Sequence, residues 1–450
     1  MRPPEFQKSH YLTNLMNAIT HLQNLIRLNT TNPPGNEILA ANYLAEQLQQ
    51  AGYKPTIIES APGRGNVITR YKGAGDKRPL LLYNHLDVVP VEPDQWSHDP
   101  FGGEIDQGMI WGRGALDMKN VVTQQLMVML RLAELRPQLS RDVIFAGCAD
   151  EEVDGRMGLD FLVREHGDLI DAEIGLSESG AIAQYVGPLT LYPIQCGEKG
   201  NCRFVLRAKA APGHGASPNY NNYAIRYLAI ALERLTSRHL PTHITPTVRQ
   251  LLLQVAPLLN VDLAQDEDDA VLEQFINQLP YPEIHASLLH MTRNSAAPTL
   301  LRAGSKINVV PSQAEAELDG RILPDQTCAD LMAEVRAAIG DDLPVEIIHL
   351  PEHDSAALEA PVEGPIWDAL ARNLKRHDPD AIVIPMILAG GTDAKHVEPL
   401  GMRTYGFSPM KMPRDFEWEG LVHGHDERIP TSALDWGIDV LYDTVLDLCT

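Results

Sequence analysis

Leu81-Leu82-Tyr83-Asn84-His85-Leu86-Asp87 is an apolar run that ends in an imidazole and a carboxylate two residues apart. A short apolar run of this kind reads as a strand buried on both faces, the usual state of strands in a helix-covered sheet. Alternation along the strand puts His85 and Asp87 on the same side. In open α/β sheets, sites form at the carboxyl ends of strands. There an imidazole can bind a metal while a nearby carboxylate fixes its tautomer. A surface His-x-Asp pair is the alternative, and the spacing alone does not separate the two.

Apolar runs lie at Pro79–Tyr83, which overlaps this stretch, and at Asp142–Cys148, Ala172–Ser177, Ala381–Leu388 and Arg403–Phe407. Helical spacing separates several of them: Tyr11, Leu12, Leu15, Met16, Ile19, Leu22, Leu25 and Ile26 mark an opening amphipathic helix. Others run over Ile38 to Gln50, stopped by Gly52, and over Val121–Leu135. This alternation predicts an α/β sheet flanked by helices. The middle of the chain differs. Cys202–Ala208 reads as a strand, Tyr223–Leu235 as a helix, Ala314–Leu323 as a half-exposed antiparallel strand, Cys328–Ile339 as a helix and Val345–Leu350 as a strand. That order predicts a small α+β unit inserted into the first. Thr236 to about Thr299 carries Pro241, Pro246, Pro257, Pro280, Pro282 and the acidic run Asp266–Asp269, which together predict an insertion with one or two short helices.

Composition narrows the function. The 450 residues are 44% hydrophobic and 22% charged, ordinary values for a globular protein with ample core. A net charge of −23 argues against nucleic acid and anionic lipid as partners. No stretch approaches the roughly 20 apolar residues of a membrane helix. Five scattered cysteines without a Cys-x-x-Cys pair point to reduced thiols in a cytoplasm and away from a zinc ribbon.

Further candidate groups sit at other strand ends. Trp111-Gly112-Arg113-Gly114-Ala115-Leu116-Asp117-Met118-Lys119 sets a carboxylate between tight glycine turns and a helix; alone, Asp117 reads as a helix cap. Ala149-Asp150-Glu151-Glu152 puts three adjacent carboxylates after a buried strand. Their mutual repulsion is relieved by a cation or by solvent. Glu178 ends another strand, and Val422-His423-Gly424-His425-Asp426-Glu427 lies near the C-terminus. Oxygen and imidazole donors together suit Zn²⁺, Mn²⁺ or Co²⁺.

In this order the elements His-x-Asp, Asp-Met-Lys and Glu-Glu make the chain resemble the M20 family of co-catalytic metallopeptidases and amidohydrolases, over nearly its whole length. The resemblance implies a zinc-peptidase-like mixed sheet with an inserted ferredoxin-like lid and dimerisation domain. The catalytic domain would be residues 1–196 and 356–450, with the lid at 197–355. It implies two divalent ions, zinc first and cobalt or manganese as alternatives. His85 and Glu178 would hold one ion, Glu152 and His423 the other, and Asp117 would bridge them. His425 is the alternative to His423; the family spacing His-x-x-x-Glu selects His423, with Glu427 closing the motif. Asp87 would orient His85, and Glu151 would be the general base. His214, in Gly213-His214-Gly215, would stabilise the developing oxyanion, and in family dimers such a histidine reaches the partner's metals. Asn308 and Arg321 would hold a substrate carboxylate, and Gly390-Gly391-Thr392-Asp393 resembles the substrate loop; the alternatives are that His214 caps a turn and that Arg321 pairs with Asp319 or Asp325. Asn120 stands where the family often has Gly. A cis peptide after Asp117 is also implied. The expected reaction is hydrolysis of an amide in a short peptide or N-acyl amino acid, by a homodimer paired through the lid. A non-catalytic metal-binding relative could dispense with Glu151, which is present. A serine hydrolase finds no Gly-x-Ser-x-Gly elbow, since Gly175-Leu176-Ser177-Glu178-Ser179 breaks it at the last position. Without metal, the clustered carboxylates are expected to have raised pKa values.

Overall fold

The computed structural model describes residues 18–280 and 282–450, so Tyr11, Leu12, Leu15 and Met16 of the opening helix lie outside the described residues. The helix is seen over residues 18–27, with Leu22, Leu25 and Ile26 fully buried. The chain divides into two compact units: 1–195 with 360–384 and 392–450, and 196–359 with 385–391.

The first unit is built on a mixed sheet. Its centre is four parallel strands in the order Arg141–Cys148, Lys77–His85, Ile174–Ser177 and Arg403–Gly406. Antiparallel strands flank them, Gly65–Tyr71 and then Thr56–Glu59 on one side and Leu189–Glu198 on the other. Leu80, Leu81, Leu82, Val143, Ile144 and Phe145 are all fully buried, so both faces of the central strands are covered. Leu81, Tyr83, Ile144 and Ala146 pack with Leu159 and Leu162 of the helix Leu159–Ile170. The helices Lys119–Leu135 and Thr431–Cys449 pack on each other and on the Arg141–Cys148 strand. The sequence motifs therefore fall where parallel strands end: His85 closes its strand opposite Cys148, and Glu178 follows Ser177 directly. Among the described residues no helix is long and apolar enough to cross a membrane.

At the sheet's margin Asp142 accepts hydrogen bonds from Arg70 (2.9 Å), Lys72 (2.9 Å) and the Gly73 amide (2.8 Å). Burial favours the neutral acid, but these donors prevail and hold its pKa below the ordinary carboxylate range. A carboxylate with a depressed folded pKa contributes stability that is present above about pH 4 and is lost as pH falls through the folded value. Asp142→Asn is expected to flatten the acid limb of a plot of urea midpoint against pH. Identical slopes in both proteins would remove Asp142 from this role.

The second unit is a β-α-β-β-α-β arrangement. Gln313–Ile322 pairs with Ser295–Ala303 on one side and with Phe204–Lys209 on the other, and Phe204–Lys209 also pairs with Val345–His349, all antiparallel. Ala314, Ala316, Leu318 and Ile322 face inward at alternate positions. They meet Leu228 and Leu235 of the helix Ala224–Thr236, and Leu331 and Val335 of the helix Cys328–Ile339. The latter helix starts with a reciprocal cap between Thr327 and Asp330.

Two expectations are corrected. Among the described residues the insertion carries three helices, Pro246–Val255, Asp269–Asn277 and Pro282–Met291, plus a short turn of helix at Ala256–Leu259. Pro246, Pro257 and Pro282 stand in first helical turns, where the missing N–H costs little, while Pro241 and Pro280 lie outside helices, and Asp268 of the acidic run caps a helix by accepting from the Ala270 amide. The cysteines are also not all free thiols. Cys202 and Cys328 form a disulfide across 126 residues of sequence, while Cys148, Cys196 and Cys449 are buried and outside any disulfide. The fold brings the start of a helix beside a strand there, which cysteine spacing does not reveal. The argument from thiols to a cytoplasmic location falls with it.

Candidate metal centre

The candidate ligands of the first unit meet at the carboxyl end of the parallel strands. His85 Nε2 lies 3.0 Å from one oxygen of Asp117 and 3.8 Å from Glu178. His423 Nε2 lies 3.0 Å from the other oxygen of Asp117 and 3.1 Å from Glu152. The Asp117 carboxylate is thus flanked by two imidazoles, one on each oxygen. His85, Asp117 and Glu152 offer ligand atoms within 4.8 Å of one another, and so do His85, Glu151 and Glu178. His425 goes elsewhere, to Glu92 at 3.0 Å. The Asp117–Met118 peptide is cis.

The supporting residues are fixed by buried polar contacts. Asp87 is fully buried and accepts from the amides of Glu151 (3.2 Å) and Glu152 (3.1 Å). Its backbone carbonyl lies 3.1 Å from His85 Nδ1, and its carboxylate 3.5 Å from the same nitrogen. Glu427 is also fully buried. It accepts from Arg113 (2.7 Å) and from the amides of Gly114, Leu116 and Asp117, while Arg113 donates to the His423 carbonyl. One carboxylate therefore ties the Asp117 turn to the His423 loop. Removing one partner of a buried ion pair costs about 3–5 kcal/mol. Glu427→Gln is expected to lower stability on that scale, read as a fall in urea midpoint with unchanged slope, and a midpoint equal to wild type would contradict it.

Charge shapes this cluster. Burial raises the pKa of Glu151 well above its ordinary value, and the nearby carboxylates of Glu178, Asp393 and Glu152 raise it further. Burial likewise raises Glu152. His423 is raised to about 10 by its contacts with Asp117 and Glu152. Asp117 moves against the expectation from mutual repulsion: burial opposes its charge, but hydrogen bonds from His423 and His85 hold it well below the carboxylate range. Asp117, Glu151, Glu152 and Glu178 thus crowd around His85 and His423, and Glu152 Oε1 is buried with no hydrogen-bond partner. An orphaned carboxylate oxygen in an oxygen and imidazole donor set fits a divalent cation such as zinc.

Asn32, Arg64 and Glu37 gave no signal in the sequence. Asn32 donates to both Asp87 (2.8 Å) and Asp150 (3.1 Å), and Arg64 bridges Asp150 (2.7 Å) and Glu37 (2.8 Å). Asp150, the first of the three adjacent carboxylates, is held in this network and by the Met157 amide, at a positive φ of 74°. Asp393 follows the glycine loop, is buried, and has its pKa raised to about 7 mainly by burial. Thr392 accepts from the Ala394 amide. The remaining candidates belong to the second unit. His214 and Asn308 lie in a small ribbon in which His214 pairs with Val309 and the Gly215 amide donates to the Asn308 carbonyl. Arg321 donates to Asp319 at 3.1 Å, and Gly390 and Gly391 belong to the same unit.

Comparison with known proteins identifies the family. Residues 81–447 match Peptidase family M20/M25/M40, and the chain belongs to that family. It is 26% identical to aminoacylase-1 of Sus scrofa over 429 residues, covering 94% of this chain and 93% of that protein. It is 27% identical to the N-fatty-acyl-amino acid synthase/hydrolase PM20D1 of Mus musculus, covering 83% and 76%. The fold is that of the M20 family metallo-carboxypeptidase Sso-CP2 of Sulfolobus solfataricus, with a TM-score of 0.68 at 19% identity, covering 96% of this chain and 99% of that one.

Proposed function

We propose that the chain is a two-metal hydrolase that cleaves the amide of an N-acyl amino acid or a short peptide bearing a free carboxylate. The observation that carries this reading is Asp117, with an imidazole 3.0 Å from each carboxylate oxygen. His85 and Glu178 would hold one divalent ion, His423 and Glu152 the other, and Asp117 both. Bound there, the ions would acidify a water and polarise the scissile carbonyl. Glu151 takes the proton from that water and delivers it to the leaving nitrogen. Burial raises its pKa above the ordinary carboxylate value, the direction that makes it a stronger base. Asp87 orients His85 and positions Glu151 through its amide. His214 donates to the developing oxyanion. Arg321, whose planar fork binds carboxylate at two points, and Asn308 hold the substrate's free acid, and Gly390, Gly391 and Thr392 border it. The relatives named aminoacylase and N-fatty-acyl-amino acid synthase/hydrolase support an N-acyl amino acid substrate.

A screen of N-acetyl, N-succinyl and dipeptide substrates with added Zn²⁺, Co²⁺ or Mn²⁺ tests the reading. Turnover of at least one class is the expected result, and none in any combination contradicts it. Residues 197–355 would serve as the lid, through which two copies pair, with His214 completing the site of the other copy. Mixing Glu151→Gln with His214→Ala after subunit exchange is then expected to restore activity, because some hybrid dimers hold one site with both residues intact. No recovery despite proven exchange would place His214 in its own chain's site or in none.

A further inference from the structure

The disulfide of the second unit has two further neighbours. Cys202, Cys328, His349 and Asp354 each offer a ligand atom, and these atoms all lie within 4.8 Å of one another. We propose that, once Cys202 and Cys328 are reduced, these four side chains form a tetrahedral site for a soft divalent cation, zinc above all, separate from the residues assigned to catalysis.

The donor chemistry argues for this. Two thiolates, an imidazole and a carboxylate are all zinc ligands, and four of them make a closed structural site. Tetrahedral bonds of about 2.0–2.3 Å place ligand atoms roughly 3.3–3.8 Å apart, so the donors need only small side-chain movements to converge. The imidazole and the carboxylate already touch, with His349 Nε2 2.9 Å from Asp354. They are only about 30% exposed, at 29% and 32%, while Cys202 is fully buried.

The backbone holds the four together. Cys202 donates its amide to the Gly320 carbonyl. On either side of it, Asn201 accepts from the Ser355 amide and Arg203 accepts from the Leu350 amide. The turn that carries Asp354 is thereby tied at both ends to the segment that carries Cys202. His349 ends its strand in register with Phe204. Cys328 is the first residue of its helix, where the partial positive charge favours a thiolate. None of this depends on the closely spaced cysteine pairs of a zinc ribbon.

The chemistry balances. A dithiol reductant gives two electrons and two protons to the Cys202–Cys328 bond and itself closes to a disulfide. Binding of the cation then releases both thiol protons, and metal is excluded while the two sulfurs are bonded to each other.

The test uses the full chain and Co²⁺, reading the near-ultraviolet absorption that arises only from sulfur bound to cobalt. The catalytic donors contain no sulfur, so the signal is independent of whether that proposal holds. Reduced protein is expected to show the band and one more tightly held cobalt per chain than oxidised protein. Cys202→Ser and Cys328→Ser are expected to abolish it. His349→Ala keeps both sulfurs and lies at a partly exposed position, so it tests the site even where a cysteine variant folds poorly. It is expected to weaken cobalt binding by about 10-fold or more, since even outer partners of metal ligands carry 10–100-fold. Reduced protein with no sulfur–cobalt band would overturn the proposal. So would a band that survives in both cysteine variants, or an affinity unchanged in His349→Ala.

Discussion

Glu151→Gln is expected to keep fold and metal content while turnover falls roughly 10²–10⁴-fold, the range for loss of a general base. The two side chains have nearly the same shape, but an amide cannot accept the water's proton. The environment supports this division of labour. Glu151 and Glu152 are adjacent, yet Glu152 lies 3.1 Å from His423 while Glu151 groups with His85 and Glu178. Steady-state kinetics on the purified variant, with metal content measured alongside, separate loss of chemistry from loss of ligand. A variant with wild-type kcat would exclude Glu151 as the base. Asp150 is poorly placed to replace it, because Arg64, Asn32 and the Met157 amide already engage its oxygens.

Asp117→Ala is expected to have the other large effect, through a different quantity. It removes the only carboxylate that touches both His85 and His423 among the described residues. Without it the two imidazoles lose their shared partner, and neither metal position keeps its full donor set. Activity should fall to background and metal retained after dialysis should drop, with no rescue at saturating substrate. A variant that held its metal and merely raised KM would assign Asp117 to substrate binding.

The parts of this site legible in the sequence are those that local patterns encode. An apolar run ending in His85-Leu86-Asp87 marks a buried strand and its functional end, and Glu178 and the acidic run after Cys148 follow the same rule. Parallel pairing of these strands then brings their ends together. The residues that stayed silent act through partners distant in sequence. Arg64, Glu37 and Asn32 carry no pattern that points to Asp150 or Asp87, because tertiary packing alone makes them neighbours. The Cys202–Cys328 pair is hidden for the same reason. Glu427 was legible as the end of a spacing, but its buried tie to Arg113 and the Asp117 turn was not. The helices of the insertion are hidden in the sequence because a proline at a helix start reads like a proline in a loop.

Titration of metal-stripped, non-reduced protein with Zn²⁺, following hydrolysis of an N-acetyl amino acid or dipeptide that the enzyme turns over, tests the central claim most directly. Two-metal catalysis at the Asp117 site predicts no activity in the stripped protein and a rise that saturates at two ions per chain, absent in Asp117→Ala. Full turnover by the stripped protein, or the same metal-dependent rise in Asp117→Ala, would contradict it.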